Sequence, residues 1–256
     1  MPKYFDIHSH LNLPGYEADF EAVIARLRET GTHTIVVGTD LETSKRAVEL
    51  SEMYPEIYAC VGVHPVDNPS RKFDPEDFEA LARHPKTVAI GECGLDFFHS
   101  NKMADFERQR ELFLAQVEFA VRHSKPLMIH SRAAYPEQIA LLEELKVTHG
   151  DKLRGNIHFF AGTLEEAKRF WALGFSTSFT GVITFASEYD EVIKNAPIGM
   201  IHAETDAPYV APKPYRGERN EPAYVQEVYK RLAEVRGDDP EALRKALVEN
   251  ALRMVG

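Results

Sequence analysis

Two histidines spaced two apart, His8 and His10, follow the apolar start Tyr4-Phe5-Asp6-Ile7. In an extended segment residues i and i+2 point to the same side, so both imidazoles can reach one metal ion. Other metal-ligating residue types fall at corresponding places. Glu92 follows Val88-Ala89-Ile90-Gly91, His130 closes Pro126-Leu127-Met128-Ile129, and His158 closes Gly155-Asn156-Ile157. Asp206 comes shortly after Met200-Ile201-His202-Ala203. Nitrogen and carboxylate donors without thiolate suit zinc, manganese or magnesium and argue against an iron–sulfur cluster. Six donors exceed one closed tetrahedral site, so a centre of two divalent ions is expected. Such a centre activates water for attack on phosphorus or on a carbonyl carbon. Asp206 is the expected general base, and Glu92 the second carboxylate of the catalytic set.

Any one of these residues can be explained without function, as a histidine bonded to a carbonyl or a carboxylate capping a helix. What sets them apart is their shared place at the ends of five apolar runs. Eight such runs occur: Tyr4–His8, Thr34–Gly38, Tyr58–Val63, Val88–Gly91, Pro126–His130, Gly155–His158, Phe175–Ser178 and Met200–Ala203. They are continuous rather than alternating, as strands buried on both faces are. Helical periodicity fills the intervals, as in Phe20, Val23, Ile24 and Leu27, or Phe113, Leu114, Val117, Ala120 and Val121, or Val225, Val228, Tyr229 and Leu232. Asp74-Pro75-Glu76 and Asp239-Pro240-Glu241 read as helix starts. Eight strand–helix units in 256 residues predict a single (β/α)8 barrel, a TIM barrel spanning 1–256, with its site at the C-terminal ends of the strands. An open doubly wound sheet would instead call for a glycine-rich turn after the first strand, where Asp6-Ile7-His8-Ser9-His10 stands.

Composition narrows the classes further. Hydrophobic residues make up 44% and charged residues 27%, which excludes a disordered chain, a collagen-like fibre or a coiled coil. Two cysteines, Cys60 and Cys93, form no disulfide framework and read as reduced thiols. No signal peptide and no membrane-length apolar run is visible, so a cytoplasmic enzyme without a membrane partner or an obligate protein partner is expected. The net charge of -10 disfavours broad coating of nucleic acid but allows one locally positive cleft.

These motifs also resemble the TatD family of metal-dependent deoxyribonucleases over nearly the whole length. The resemblance is carried by Asp6-Ile7-His8-Ser9-His10-Leu11, Gly62-Val63-His64-Pro65, Gly91-Glu92-Cys93-Gly94-Leu95-Asp96 and His130-Ser131-Arg132. Glu204-Thr205-Asp206-Ala207-Pro208-Tyr209 and Arg216-Gly217-Glu218-Arg219-Asn220-Glu221-Pro222 complete it. It implies an amidohydrolase-like barrel in which His8, His10 and Asp206 hold one ion, Glu92 bridges, and His130 and His158 hold the second. It further implies hydrolysis of DNA phosphodiesters with magnesium or manganese (zinc being a further option), as a 3′-to-5′ exonuclease on single strands. The chain departs from the family at Phe159-Phe160-Ala161-Gly162, where Cys-Phe-Ser-Gly is usual, and at Ala133, usually acidic. It also lacks the tyrosine often found in the segment Phe97-Phe98-His99-Ser100. None of these positions is an expected ligand.

A phosphate needs cationic contacts. Arg132 is the first candidate because a planar guanidinium matches phosphate geometry. Arg216 and Arg219 follow strand eight, near the usual barrel phosphate region, and read equally as a solvated basic loop. His64 either contacts substrate or is a hydrogen-bonded loop histidine. Asp96 and Glu204 are expected to orient ligands from behind. Phe97, Phe98, Phe159 and Phe160 follow rim positions where a base can stack, with Phe160 equally a core side chain. Trp171 reads as packing, and His33, His84, His99, His123, His149 and His202 carry no functional expectation. On the same donor set an ester or amide is the alternative substrate, such as an aminoacyl ester on tRNA. A metal-binding scaffold without activity would be expected to lack a ligand, and none is missing.

Overall fold

Eight parallel strands form one sheet in sequence order, β1 (Tyr4–Ser9), β2 (Thr32–Val37), β3 (Ile57–Val61), β4 (Thr87–Asp96), β5 (Leu127–Arg132), β6 (Gly155–Ile157), β7 (Phe175–Phe179) and β8 (Ile201–Ala203). This is a computed structural model, and it describes residues 1–67, 70 and 72–256. The sheet closes where Ser9 bridges Ala207 just past β8, with Asp206 N–H donating to His8 O at 2.9 Å and His10 N–H to Ala207 O at 2.7 Å. Closure, together with strictly sequential neighbours, excludes the doubly wound alternative.

Helices α1 (Phe20–Thr30), α2 (Leu41–Met53), α3 (Pro75–Arg83), α4 (Lys102–Arg122), α5 (Tyr135–His149), α6 (Leu164–Ala172), α7 (Asp190–Asn195), α8 (Val225–Arg236) and α9 (Pro240–Val255) surround the barrel. Their apolar stripes face inward: Val23, Ile24 and Leu27 of α1 and Val228, Tyr229 and Leu232 of α8 are all buried. Asp74 and Asp239 cap α3 and α9 ahead of a first-turn proline, accepting from Glu76 N–H and Ala242 N–H. Trp171 packs and donates Nε1–H to Thr177 Oγ1 at 3.2 Å, while Phe160 is buried against Tyr135 and Phe170. Cys60 and Cys93 are buried free thiols.

β4 departs most from its expected bounds. It runs on to Asp96 rather than stopping at Gly91, so Glu92 lies inside the strand. The register against β5 shifts between Ile90 and Cys93, and pairing resumes from Cys93 to Asp96. Gly91 and Gly94 have φ of 151° and 139°. A Cβ there would lie 2.3 Å from Met128 O and 2.0 Å from His130 O, so only glycine lets β4 lie this close to β5. β5 likewise continues past His130 to Arg132.

His202 sits inside β8, buried, with Nδ1 lacking a hydrogen-bond partner. Burial, reinforced by Arg253, pushes its pKa down to about 4. Below about pH 6.5 the unfolded chain binds a proton that the folded chain refuses until about pH 4. The stability at stake, ~3 kcal/mol, is therefore intact above that window and lost as the pH falls through it. Urea unfolding of His202→Gln between pH 4 and 7 should show a shallower loss of stability than the parent; identical slopes would refute this assignment.

Candidate metal centre

Glu92 stands at the middle of the barrel mouth, 4% exposed, and its two oxygens face different partners. Oε2 lies 3.5 Å from His8 Nε2 and 3.6 Å from His10 Nε2. Oε1 lies 2.9 Å from His158 Nε2, 3.0 Å from His130 Nδ1 and 3.5 Å from His64 Nε2. Asp206 completes the first side, its Oδ1 3.4 Å from His10 Nε2 and 3.8 Å from His8 Nε2. The structure thus brings all six expected ligands to one place, and His64 with them.

Three of the rings have a partner behind them, while His8 Nδ1 is buried without a hydrogen-bond partner. His10 Nδ1 is 3.0 Å from Val37 O, which makes Nδ1 the protonated nitrogen and turns the Nε2 lone pair toward the centre. His130 Nε2 is 3.0 Å from Asp96 Oδ2, leaving Nδ1 to face Glu92. His158 Nδ1 lies 3.4 Å from Glu204 Oε1, and Glu204 is fixed by Phe159 N–H at 2.6 Å and Ser178 Oγ at 2.7 Å. Asp96 and Glu204 therefore sit behind the rings, where a carboxylate orients a metal-binding imidazole. His8 Nε2 is 3.1 Å from His10 Nε2, and both nitrogens cannot usefully donate to each other.

Three residues with weaker signals in the sequence frame this arrangement. Asp6 is buried under β1, accepting from Thr205 N–H at 2.8 Å, Thr205 Oγ at 2.6 Å and His8 N–H at 3.2 Å. It ties β1 to the segment carrying Asp206. Gln109 and Gln116, seven apart on α4, clamp the backbone of Asp96 and of Val63 through paired bonds of 2.8 and 2.9 Å. Their shared spacing on the buried face of α4 was the available signal, but two glutamines on an apolar stripe do not announce what they hold.

Electrostatically the centre is a buried set of opposed charges. Burial alone would raise Glu92, yet His158 and His64, with hydrogen bonds from His130 and His158, hold it well below the usual carboxylate range. Burial also raises Asp206, but the bond to His10 and the fields of His158 and His8 outweigh it and lower it. Burial opposes charge on His158, and Glu92 and Glu204 override it, raising that imidazole well above its ordinary value. His8 moves the other way, lowered by burial and by His158. Carboxylates that stay ionised beside inward-facing imidazole nitrogens form a donor set that fits hard or borderline divalent cations.

The mouth opens into a cavity of 910 Å³. Of the five non-glycine residues with positive φ among the described residues, Ala133, Phe159, Asp206 and Val210 line it. Left-handed backbone at a β-branched valine is costly and is typical of a built site rather than a loop at rest. Arg132 lines the cavity with its guanidinium 4.3 Å from the exposed Phe98 ring. Arg216 lies outside the cavity wall, 3.6 Å over Phe185. Arg219 departs from the expected substrate contact: it pairs with Asp19 at 2.7 and 2.8 Å, donates to Gly15 O and stacks on Tyr16, so its donors serve a loop tie. His99, given no expectation, meets Asp96 Oδ2 at 2.8 Å on the cavity wall, and the half-exposed Tyr209 faces His10 across 6.4 Å. Asp96→Asn should weaken divalent-ion affinity about 10- to 100-fold through misorientation of His130. Calorimetric titration of the metal-stripped protein checks this, and an unchanged affinity would contradict the role given to Asp96.

Comparison with known proteins agrees with this architecture. The family model for TatD-related DNases matches residues 5–256. The chain is 38% identical to the uncharacterized metal-dependent hydrolase YabD of Bacillus subtilis strain 168, over 98% of each chain. It is 34% identical to the 3′-5′ ssDNA/RNA exonuclease TatD of Citrobacter rodentium, over 98% of this chain and 97% of that one. The crystal structure of YjjV, a TatD homologue from Escherichia coli K12, superposes with a TM-score of 0.90 at 30% identity, covering 98% and 97% of the two chains. With the barrel, the mouth cluster and full-length similarity in agreement, the chain belongs to the TatD family of metal-dependent hydrolases.

Proposed function

We propose that this enzyme hydrolyses DNA phosphodiester bonds from the 3′ end of single strands, using two divalent ions, magnesium or manganese. The observation that carries the two-ion reading is the division of Glu92: one oxygen faces His8 and His10 beside Asp206, the other faces His130 and His158. A carboxylate with a separate donor group at each oxygen suits a bridge between two cations. Bound ions supply an acidified water and positive charge for the phosphoryl oxygens.

The chain's own residues do the rest. Asp206, at the cavity edge with its carboxylate held ionised, accepts the proton of the attacking water. Glu92 holds the two halves of the centre at fixed spacing. Arg132 receives the phosphate, because no carboxylate competes for its guanidinium among the described contacts and Phe98 keeps it flat. Arg216 on Phe185 offers a second guanidinium farther along the strand. The exposed rings of Phe98 and Tyr209 can stack unpaired bases, which favours single strands over a duplex. The relative named as a 3′-5′ ssDNA/RNA exonuclease supports this polarity and substrate.

The test uses 5′-labelled single-stranded DNA with metal-stripped enzyme plus added magnesium or manganese. A ladder shortening from the 3′ end is expected, absent with Asp206→Asn, while Arg132→Ala should raise KM about tenfold or more with a smaller change in kcat. Absence of cleavage of any DNA with both ions bound would overturn the nuclease reading and move the substrate to an ester or amide.

A further inference from the structure

His64 is the imidazole of the mouth whose role the donor count leaves open. Its Nε2 points at Glu92 Oε1 from 3.5 Å, too far for a good hydrogen bond. That oxygen already faces His158 and His130 at 2.9 and 3.0 Å, and a carboxylate oxygen has about two acceptor sites. Three imidazole nitrogens around one such oxygen cannot all be donors to it. His64 Nδ1 is meanwhile committed elsewhere, 2.7 Å from Asp67 Oδ1. This repeats the pattern of His130 on Asp96: one ring nitrogen on an outer carboxylate, the other turned inward.

The backbone carrying His64 is also fixed. Its N–H donates to Thr39 O at 2.9 Å, and the preceding Val63 is held at both its N–H and its carbonyl by Gln116. The ring stands edge-on to His130 with centroids 4.5 Å apart, and His64, Glu92 and His130 present ligand atoms within 4.8 Å of one another. Nδ1 stays within its own turn, with Asp67 Oδ1 at 2.7 Å and the N–H groups of Val66 and Asp67 at 3.4 and 3.3 Å; the inward-facing Nε2 is what that turn does not explain.

We infer that His64, oriented by Asp67, is a ligand of the ion on the Oε1 side of Glu92, making that side a three-histidine site. This rests on the two-ion reading above. It gives the two ions unlike surroundings: two imidazoles and Asp206 on one side, three imidazoles on the other, with Glu92 common to both. The nitrogen-rich side would favour a borderline cation more strongly than its neighbour does.

The experiment is calorimetric titration of chelator-stripped protein with Mn2+ alone, without nucleic acid. The parent should take up two equivalents. His64→Ala and the bulkier His64→Gln should each weaken one equivalent by about tenfold or more and leave the other within about twofold. Asp67→Asn should weaken the same equivalent by a smaller factor, and thermal melting of the stripped proteins reports whether each variant is folded. If folded His64→Gln binds both equivalents as the parent does, or loses both in parallel, the assignment is overturned and His64 reverts to a substrate contact. If the parent takes up fewer than two equivalents, the two-ion reading itself fails, and this is told apart by the parent titration alone.

Discussion

A carboxylate buried at the axis of a barrel stays ionised only if the surrounding chain supplies compensating charge or dipole. Glu92 is such a group, and five imidazoles lie within 3.6 Å of its two oxygens. Those rings come from the ends of β1, β5 and β6 and the turn after β3, so satisfying one carboxylate requires most of the barrel to be closed and in register. The outer hydrogen bonds then follow. Four of the five rings set their other nitrogen near Val37 O, Asp67, Asp96 or Glu204, while His8 Nδ1 has no hydrogen-bond partner.

The same demand accounts for the unusual backbone. Bringing Glu92 within 3.0 Å of His130 requires β4 to lie against β5 more closely than side-chain-bearing residues allow, and Gly91 and Gly94 provide that approach. At the opposite seam Asp6 joins β1 to the Thr205–Ala207 segment, so His8 and Asp206 are positioned by one buried carboxylate beneath them. The centre is thus braced at two seams, β4–β5 and β8–β1. Strained φ at Ala133, Phe159, Asp206 and Val210 falls on the loops between those braces, where the rigid scaffold can maintain it.

For the polyanion proposed as substrate, an acidic chain must confine its positive charge to a small area. The mouth does so by leaving Arg132 on an aromatic ring, while Arg219 is drawn into an ion pair with Asp19. Arg132, the first phosphate candidate in the sequence, and Arg219, which read equally as a solvated loop residue, are thus separated by what the fold sets beside them. Stacking on Phe98 immobilises the Arg132 fork without neutralising it, which an acidic partner would have done.

The barrel and the histidines and carboxylates gathered at its mouth were legible because both are written in local pattern. Continuous apolar runs mark strands buried on two faces, and a histidine or carboxylate closing such a run is carried to the mouth by any barrel of that length. Helix starts at Asp74 and Asp239 were equally local. What the tertiary structure decided were relations between distant residues. Gln116 beneath Val63, the close approach of β4 to β5 at Glu92 and the capture of Arg219 by Asp19 each join elements that no spacing in the chain relates. Side-chain type and periodicity determine which face of an element is buried; which partner meets a polar group there depends on the register and closeness of strands, set only once the whole barrel has closed.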